Sequence, residues 1–248
     1  MEQPKVLVGT PVCDLHEHCL EEYVEGLKSL TYSNMDILLV DNSKDDGFFR
    51  KVEGMGIPIT RIGWHPNVRE RLVRSRNVLR DKMLSEGHDY FLNLEQDIVP
   101  PKDIVERLVS HGKDVVTAVY FTMISHGMQV DRPFPVLLRN ASPDIPLSLK
   151  KGEYGRTRWE WYTEKAVEEP RLMEVDACGM GALLMHRRVL EKVRFSYPEK
   201  GVSTAFDDVW FCHKAKLEGF RIFADTSIKC VHHMRGRLRD WGTISELD

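Results

Sequence analysis

The sequence lacks the features that would place a protein in a membrane or on a nucleic acid. No segment approaches the roughly 20 consecutive apolar residues of a membrane span, and the N-terminal stretch MEQPKVLVGTPV shows no apolar run behind a basic start. The formal net charge is only −3, which gives no global reason to expect a nucleic-acid partner. We therefore expect a cytoplasmic protein without a transmembrane segment.

Cysteine is also scarce, and its spacing excludes little by itself but favours one interpretation. The cysteines are five in number, show no CxxC spacing, and lie at Cys13, Cys19, Cys178, Cys212 and Cys230. An odd count without metal-ligand spacing favours reduced thiols in a cytosolic protein over a disulfide framework or a zinc site. We expect each to be a small, buried, apolar side chain.

In the first half of the chain, apolar runs alternate with segments of helical periodicity. We predict strands at 5–12, 35–43, 57–64, 89–94 and 114–121, and helices at 15–30, 69–86 and 103–111. Strands that are apolar on both faces, with helices between them, predict an α/β fold with a mostly parallel sheet covered on both sides. Ligands bind such sheets outside the carboxyl ends of the strands.

The second half is less regular. Residues 123–170 are rich in proline, aromatic and charged residues, a composition typical of a lid or binding loop, or of disorder; Trp159 and Trp161 argue against disorder. Regular structure is predicted again from a strand and helix at 179–193, a helix at 206–219 and a last pair of short strands at 221–233.

The segment YFLNLEQDIVPP places two carboxylates, Glu95 and Asp97, at the end of an apparently buried strand. Residues two apart on a strand share a face, and two desolvated carboxylates repel each other. A divalent cation such as Mg²⁺ or Mn²⁺, which prefers hard oxygen ligands, removes that repulsion. Taken alone, the pair fits a solvated strand end slightly better than a metal site, since such triplets are common.

Five motifs in order make the chain resemble the GT-A fold glycosyltransferases, especially the family 2-like enzymes that use nucleotide-diphosphate sugars. They are GTPV at the end of the first strand, ILLVDNS at the second strand, VRSRNVL on the helix before the fourth strand, and the EQD triplet. The fifth is the C-terminal series of CGMGALLMHRR followed by AFDDVWFCHKAKLEGF through VHH. The resemblance covers most of the chain except about 123–171. It implies a GT-A sheet with a small antiparallel C-terminal part.

The resemblance also implies roles for particular residues. Asp97 would bind a divalent metal, Mn²⁺ or Mg²⁺, together with His233 or its neighbour His232. Strand alternation lets only one of the two face the site, and we favour His233. The nucleotide-sugar would contact Thr10, Pro11, Asp41, Arg76 and Glu95. Asp208 would be the general base, with Asp207 beside it.

Two departures from the family pattern bear on these roles. Glu95 stands where the family usually has Asp, and an Asp-Asp pair replaces Glu-Asp at 207–208. Three arginines of the tail, Arg235, Arg237 and Arg239, could close over a diphosphate or form a solvated basic end. Likewise, the aromatic residues at 159, 161 and 162 could stack on an acceptor sugar or pin the long loop to the core.

We therefore predict a single GT-A domain over 1–248, with a nucleotide-binding half at 1–122, an irregular acceptor or lid segment at 123–172, and an acceptor and catalytic half at 173–248. The predicted reaction moves a sugar from a nucleotide-diphosphate donor to the hydroxyl of a sugar, a lipid-linked acceptor or a protein glycan. A lipid-linked acceptor would require peripheral association with the membrane. The alternatives are a sugar-1-phosphate nucleotidyltransferase, which normally has a Gly-rich basic loop that GTPVCDLHEH lacks, and a non-catalytic nucleotide-sugar-binding module.

Overall fold

The computed structural model describes residues 3–124, 132–141, 159–198, 206–234 and the backbone of 237–239. Its helices are α1 Leu20–Lys28, α2 Gly47–Gly54, α3 Val68–Ser85, α4 Ile104–Ser110, α5 Arg187–Lys192 and α6 Asp207–Leu217. Its first nine strands are β1 Val6–Val12, β2 Met35–Asp41, β3 Ile59–Arg61, β4 Tyr90–Leu94, β5 Ile98–Val99, β6 Val115–Val119, β7 Phe121–Ile124, β8 Arg132–Pro135 and β9 Leu137–Asn140. The others are β10 Trp159–Trp161, β11 Leu172–Val175, β12 Ala177–Cys178, β13 Ala182–His186, β14 Ile222–Lys229, β15 Val231–Met234 and β16 Arg237–Arg239.

Eight of these strands form one central sheet in the order β11-β14-β6-β13-β4-β1-β2-β3. Strand β1 runs parallel to β2 and β4, β2 runs parallel to β3, and β14 runs parallel to β6. Strand β13 is antiparallel to both of its neighbours, and β11 is antiparallel to β14 at the edge. The prediction of a mostly parallel α/β sheet with a smaller antiparallel part is confirmed.

Helices cover both faces of the sheet, as the apolar runs predict. Every residue of β1, β4 and β6 is buried. One core cluster includes apolar side chains of α1, α2 and α4, and the other includes those of α3, α5 and α6. Strands this apolar are stable only with a helix layer on each side. The ends of the strands are therefore the parts of the sheet that a ligand can reach.

The second half contains more regular structure than its composition predicts. Within the predicted irregular segment, the described residues form β8, β9 and β10, and β9 pairs with both β10 and β12. The segment predicted as two short terminal strands is an eight-residue strand in the central sheet, β14, followed by β15. Strand β15 pairs with β5 and β16, which places the C-terminal part beside the turn after β4.

Two further sequence predictions concern the thiols and the membrane. All five cysteines are free; four are buried and Cys13 is half-buried. No helix among the described residues has the length and apolar character needed to span a bilayer.

Candidate active site

The carboxyl ends of β1, β2 and β4 meet at one edge of the sheet and border a cavity of about 220 Å³. Its lining comes from the end of β1 and the loop after it, the residue after β2, helix α3 and the turn after β4. The lining residues are Pro11, Val12, Cys13, Leu15, His16, Asn42, Val68, Arg71, Leu72, Arg76, Glu95, Gln96 and Asp97. The cavity therefore lies where the strand-end rule predicts a ligand.

The turn after β4 is tied to the loop after β1 by Gln96, whose side chain is buried. Its Oε1 accepts from the backbone N–H of Cys13 at 3.0 Å, and its Nε2 donates to the carbonyl of His16 at 3.1 Å. The backbone N–H of Glu95 donates to Gly181 O at 2.9 Å. Glu95 and Asp97 both border the cavity as a result.

Arg76 is a buried cation of this site, and it binds two carboxylates from distant parts of the chain. One terminal nitrogen of its guanidinium donates to Glu95 Oε1 at 2.5 Å, and the other donates to Asp207 Oδ2. Burial raises the pKa of Glu95 to about 7 even though Arg76 opposes that shift, and the nearby Asp97 adds to it.

The Asp-Asp pair at the start of α6 divides into two environments. Asp207 is buried and bound by Arg76 and by the hydroxyl of Tyr197, which donates to its Oδ1 at 3.1 Å. Asp208 is half-buried and accepts from the backbone N–H of Val209 at 2.6 Å. Burial, and then the neighbouring Asp207 carboxylate, raise the pKa of Asp208 to about 6. Of the two, Asp208 is the carboxylate that forms no ion pair within the described part of the chain.

Asp97 lies between two imidazoles. His232 Nε2 is 3.4 Å from Asp97 Oδ2, and His16 Nδ1 is 3.7 Å from the same oxygen. Burial by itself would raise the pKa of Asp97, but its hydrogen bond with His232 and the charges of both histidines hold that pKa below its usual value. The same bond raises the pKa of His232 against the opposing effect of burial.

His233 points elsewhere, because successive side chains of β15 alternate. Its Nε2 is 3.0 Å from Glu22 Oε2 on α1, while its backbone N–H donates to the carbonyl of Asp97 at 2.8 Å. The structure thus places the ring of His232, rather than that of His233, beside the Asp97 carboxylate.

The predicted nucleotide contacts lie at two depths. Pro11 borders the cavity, whereas Thr10 is fully buried in β1 and its hydroxyl has no hydrogen-bond partner in the part of the chain that the structure describes. Asp41 is also fully buried: it accepts from the backbone N–H of Ser43 and from Arg61 Nε, both at 2.9 Å. Its carboxylate is therefore held within the protein, and the next residue along the chain borders the cavity in its place.

Other sequence-predicted residues lie outside the cavity or outside the described part of the structure. Trp159, Trp161 and Tyr162 are half-buried against the core cluster that includes α3, α5 and α6, as the pinning alternative expects. The side chains of the three tail arginines fall outside the described residues.

A separate group of potential ligands lies at the opposite edge of the sheet. Asp36, Glu86 and His88 bring their ligand atoms within 4.8 Å of one another. Asp36 is already 2.9 Å from Lys5 and 2.8 Å from His88, and Glu86 is 2.5 Å from Lys82. Lys5 also lines a wide depression of about 560 Å³ at this edge. These acidic charges are balanced by lysines, and they are remote from the strand ends that carry the predicted site.

Comparisons with known proteins rest on the fold alone. No model of a known protein family matches the chain, and no curated protein sequence matches it significantly. Among solved structures, A197 from STIV matches with a TM-score of 0.50 and 17% identity over 94% of this chain and 87% of that one. S. aureus TarS matches with a TM-score of 0.51 and 15% identity over 89% of this chain but only 35% of TarS.

The fold is GT-A-like. Identities of 15 and 17% carry no information on substrates, so the residues of the cavity must support any functional argument. Sequence reasoning missed His16, which lies within the helix predicted at 15–30, and Tyr197, which lies in an irregular segment. It took Gln96 only as the middle of a triplet. The sequence signal for Gln96 was its position between two carboxylates at the end of an apolar strand.

Proposed function

We propose that the chain is a metal-dependent glycosyltransferase that moves a sugar from a nucleotide-diphosphate donor to a hydroxyl acceptor. The observation that carries this proposal is that Asp97, Glu95 and Arg76 border one cavity at the carboxyl edge of a GT-A-like sheet. An anionic diphosphate needs a cation and a cationic side chain nearby as it leaves. In this cavity the Asp97 carboxylate would hold the cation, and Arg76 is the cationic side chain.

Asp97 and His232 are the residues that would hold Mn²⁺ or Mg²⁺. They fit a divalent ion because the carboxylate oxygen and the imidazole nitrogen face each other at 3.4 Å, and because both are ligand types that such ions accept. When bound, the ion supplies charge stabilisation for the diphosphate leaving group. The sequence favoured His233 for this role; we propose His232 because its ring lies beside Asp97.

The protein's own groups account for the other requirements of the transfer. Arg76 is held in place by Glu95 and Asp207, so its charge is oriented before a donor binds. Asn42 and Arg71 border the same cavity near the end of β2, and we assign them to the nucleoside part of the donor, above the buried Thr10 and Asp41.

Asp208 is proposed as the general base that accepts the proton of the acceptor hydroxyl at one of its carboxylate oxygens. A pKa of about 6 leaves this carboxylate ionised at neutral pH while making it a stronger base than an ordinary aspartate. Asp207 is assigned a supporting role, because its two oxygens already bind Arg76 and Tyr197.

The proposal is tested by thermal shift with GDP-, UDP-, ADP- and CDP-sugars, each with and without Mn²⁺. A ligand at 100 times its dissociation constant stabilises the folded state by about 2.7 kcal/mol, so the donor base is identified by the largest Mn²⁺-dependent shift. Asp97→Ala should abolish that shift while the fold survives. Unchanged binding by this variant, or no shift with any donor, contradicts the proposal.

The same nucleotide-sugar panel, scored for release of nucleotide diphosphate, distinguishes a transferase from a binding module, since transferases usually leak donor to water. Incubation with sugar-1-phosphate and nucleoside triphosphates tests the nucleotidyltransferase alternative through pyrophosphate release.

A further inference from the structure

We propose that His16 is an additional ligand of the divalent cation at Asp97, so that the cation lies among two imidazoles and one carboxylate. Such a ligand set selects Mn²⁺, Co²⁺ or Zn²⁺ over Mg²⁺. The inference rests on the proposed function, from which it takes the cation at Asp97.

The first support is that both imidazoles converge on one oxygen. His16 Nδ1 and His232 Nε2 lie 3.7 and 3.4 Å from Asp97 Oδ2. Ligands at right angles on one metal, with bonds of about 2.1 Å, are about 3 Å apart. Closing movements of a few tenths of an ångström to about an ångström would bring each nitrogen to this spacing from the carboxylate oxygen. The half-exposed His16 ring must also turn toward His232, because the three ligand atoms do not all lie within 4.8 Å of one another before an ion binds.

The second support is an unpartnered atom. His16 Nδ1 is buried and has no hydrogen-bond partner among the described residues, although the side chain as a whole keeps 44% of its surface exposed. A buried polar atom without a partner destabilises the folded state. A cation in the cavity would satisfy this nitrogen, because a neutral imidazole offers a lone pair there.

The third support is that the backbone holds His16 in place before any ion binds. Its carbonyl accepts from Gln96 Nε2 and from Cys19 Sγ, each at 3.1 Å. The 3-10 helix Asp14–Cys19 is interrupted at His16 itself, with φ −108° and ψ 22°. The residue next to Asp97 thus anchors the turn that carries the imidazole.

His232 is prepared in a complementary way by its other ring nitrogen. Its Nδ1 is 2.6 Å from the carbonyl of Phe121, so its Nδ1–H donates to that carbonyl, and a bound cation would replace the Nε2 proton that faces Asp97. A backbone carbonyl that fixes the tautomer in this way is the usual support of a metal-binding histidine.

The ligand set decides the preferred ion. Mg²⁺ strongly prefers oxygen ligands and keeps several waters, whereas imidazole suits Zn²⁺ and other later first-row ions, whose affinities exceed that of Mn²⁺ in the usual order. A site formed by Glu95 and Asp97 alone would show no such preference for nitrogen-binding ions.

The test is isothermal titration of the apo-protein with Co²⁺ and with Mg²⁺, without any activity assay. All titrations use an Asp36→Asn background, which disables the separate ligand group at the other edge of the sheet. We expect Co²⁺ to bind at least tenfold more tightly than Mg²⁺. His16→Ala and the size-matched His16→Gln should each weaken Co²⁺ binding at least tenfold and Mg²⁺ binding less.

His18→Ala is the matched control, because this exposed histidine lies on the same turn, with its ring centroid 6.1 Å from that of His16. Its Co²⁺ affinity should equal that of the parent. If both His16 variants fold and keep full Co²⁺ affinity while Asp97→Asn loses it, the inference is overturned and the proposed function stands. If the parent binds no divalent ion, with or without nucleoside diphosphates, the proposed function itself fails.

Discussion

Arg76 on α3 and Asp207 at the start of α6 form a buried ion pair that joins the two halves of the candidate site. The side chains of both residues are only 4 and 5% exposed, and they lie 131 residues apart in the chain. The same guanidinium binds Glu95 in the turn after β4. One cation therefore sets the position of the helix that carries Asp208 relative to the turn that carries Asp97.

Removing this cation should destabilise the protein. Arg76→Gln leaves the Asp207 carboxylate buried without its partner, and loss of one member of a buried pair is unfavourable by about 3 to 5 kcal/mol. Urea unfolding at pH 7 measures the change. Arg74→Gln, two residues earlier on the same helix but exposed, should stay within about 0.5 kcal/mol of the wild type. Equal stability of the two variants would contradict the role given to Arg76.

Replacing the proposed base should lower turnover without loss of the donor site. Asp208→Asn should reduce kcat by about 100- to 10,000-fold, the usual contribution of general-base catalysis, and leave Mn²⁺-dependent donor binding intact. In the wild type, kcat/KM should fall as the pH drops through about 6, where Asp208 becomes protonated. Asp103→Asn, which changes a carboxylate with 51% exposure just before α4, is the control and should leave kcat unchanged. Turnover of Asp208→Asn near the wild-type value would exclude this base.

The raised pKa of Asp208 also has a consequence for stability. The folded protein binds this proton more tightly than the unfolded chain, whose aspartates titrate near about 4. The stability that the group contributes is therefore complete below about pH 4 and is lost as the pH rises through about 6.

Asp208→Asn removes this titration, so the variant should become more stable relative to the wild type as the pH rises. We expect its unfolding free energy relative to the wild type to increase by about 1 to 2 kcal/mol between pH 4 and pH 7.5, after allowing for solvent screening of a half-buried group. Urea titrations at both pH values, with a chelator present, measure the difference. A constant difference across this range would contradict the assigned pKa shift.

The sheet and part of the site could be predicted from the sequence because they follow from local patterns. The apolar runs of β1, β4 and β6 require burial on both faces, and the strand-end rule then places Asp97 at the ligand-binding edge. The helix that carries Asp208 was predicted at 206–219 and is observed at Asp207–Leu217.

The histidines could not be assigned in this way, because their directions depend on contacts between distant segments. The choice between His232 and His233 depends on the register of β15 against β5, which pairs His232 with Ile98. His16 is oriented by a hydrogen bond from Gln96, 80 residues along the chain. Strand alternation predicts that one of the two neighbouring histidines faces the site, but only the pairing decides which one.

The segment 179–181, which lies beside the site, packs against Tyr120. The buried hydroxyl of Tyr120 accepts from the backbone N–H of Gly181 at 3.0 Å. A Cβ at Gly179 would lie 2.0 Å from that hydroxyl oxygen and 2.7 Å from Val136 Cγ1. Gly179→Ala should therefore lower the unfolding free energy by about 1–3 kcal/mol, as overpacking does. Gly54→Ala at the end of α2, where a Cβ meets nothing within 4 Å, should be neutral or stabilising by up to about 1 kcal/mol.

A double-mutant cycle with Tyr120→Phe tests whether the hydroxyl is the atom that excludes a side chain at Gly179. Removing it abolishes the 2.0 Å contact but leaves the one with Val136 at 2.7 Å. The loss of unfolding free energy caused by Gly179→Ala should therefore be smaller in the Tyr120→Phe background than in the wild type. We expect this difference, the coupling energy, to be about 0.5–3 kcal/mol. Additive effects of the two substitutions would show that this contact does not shape the segment, and that the glycine is required for another reason.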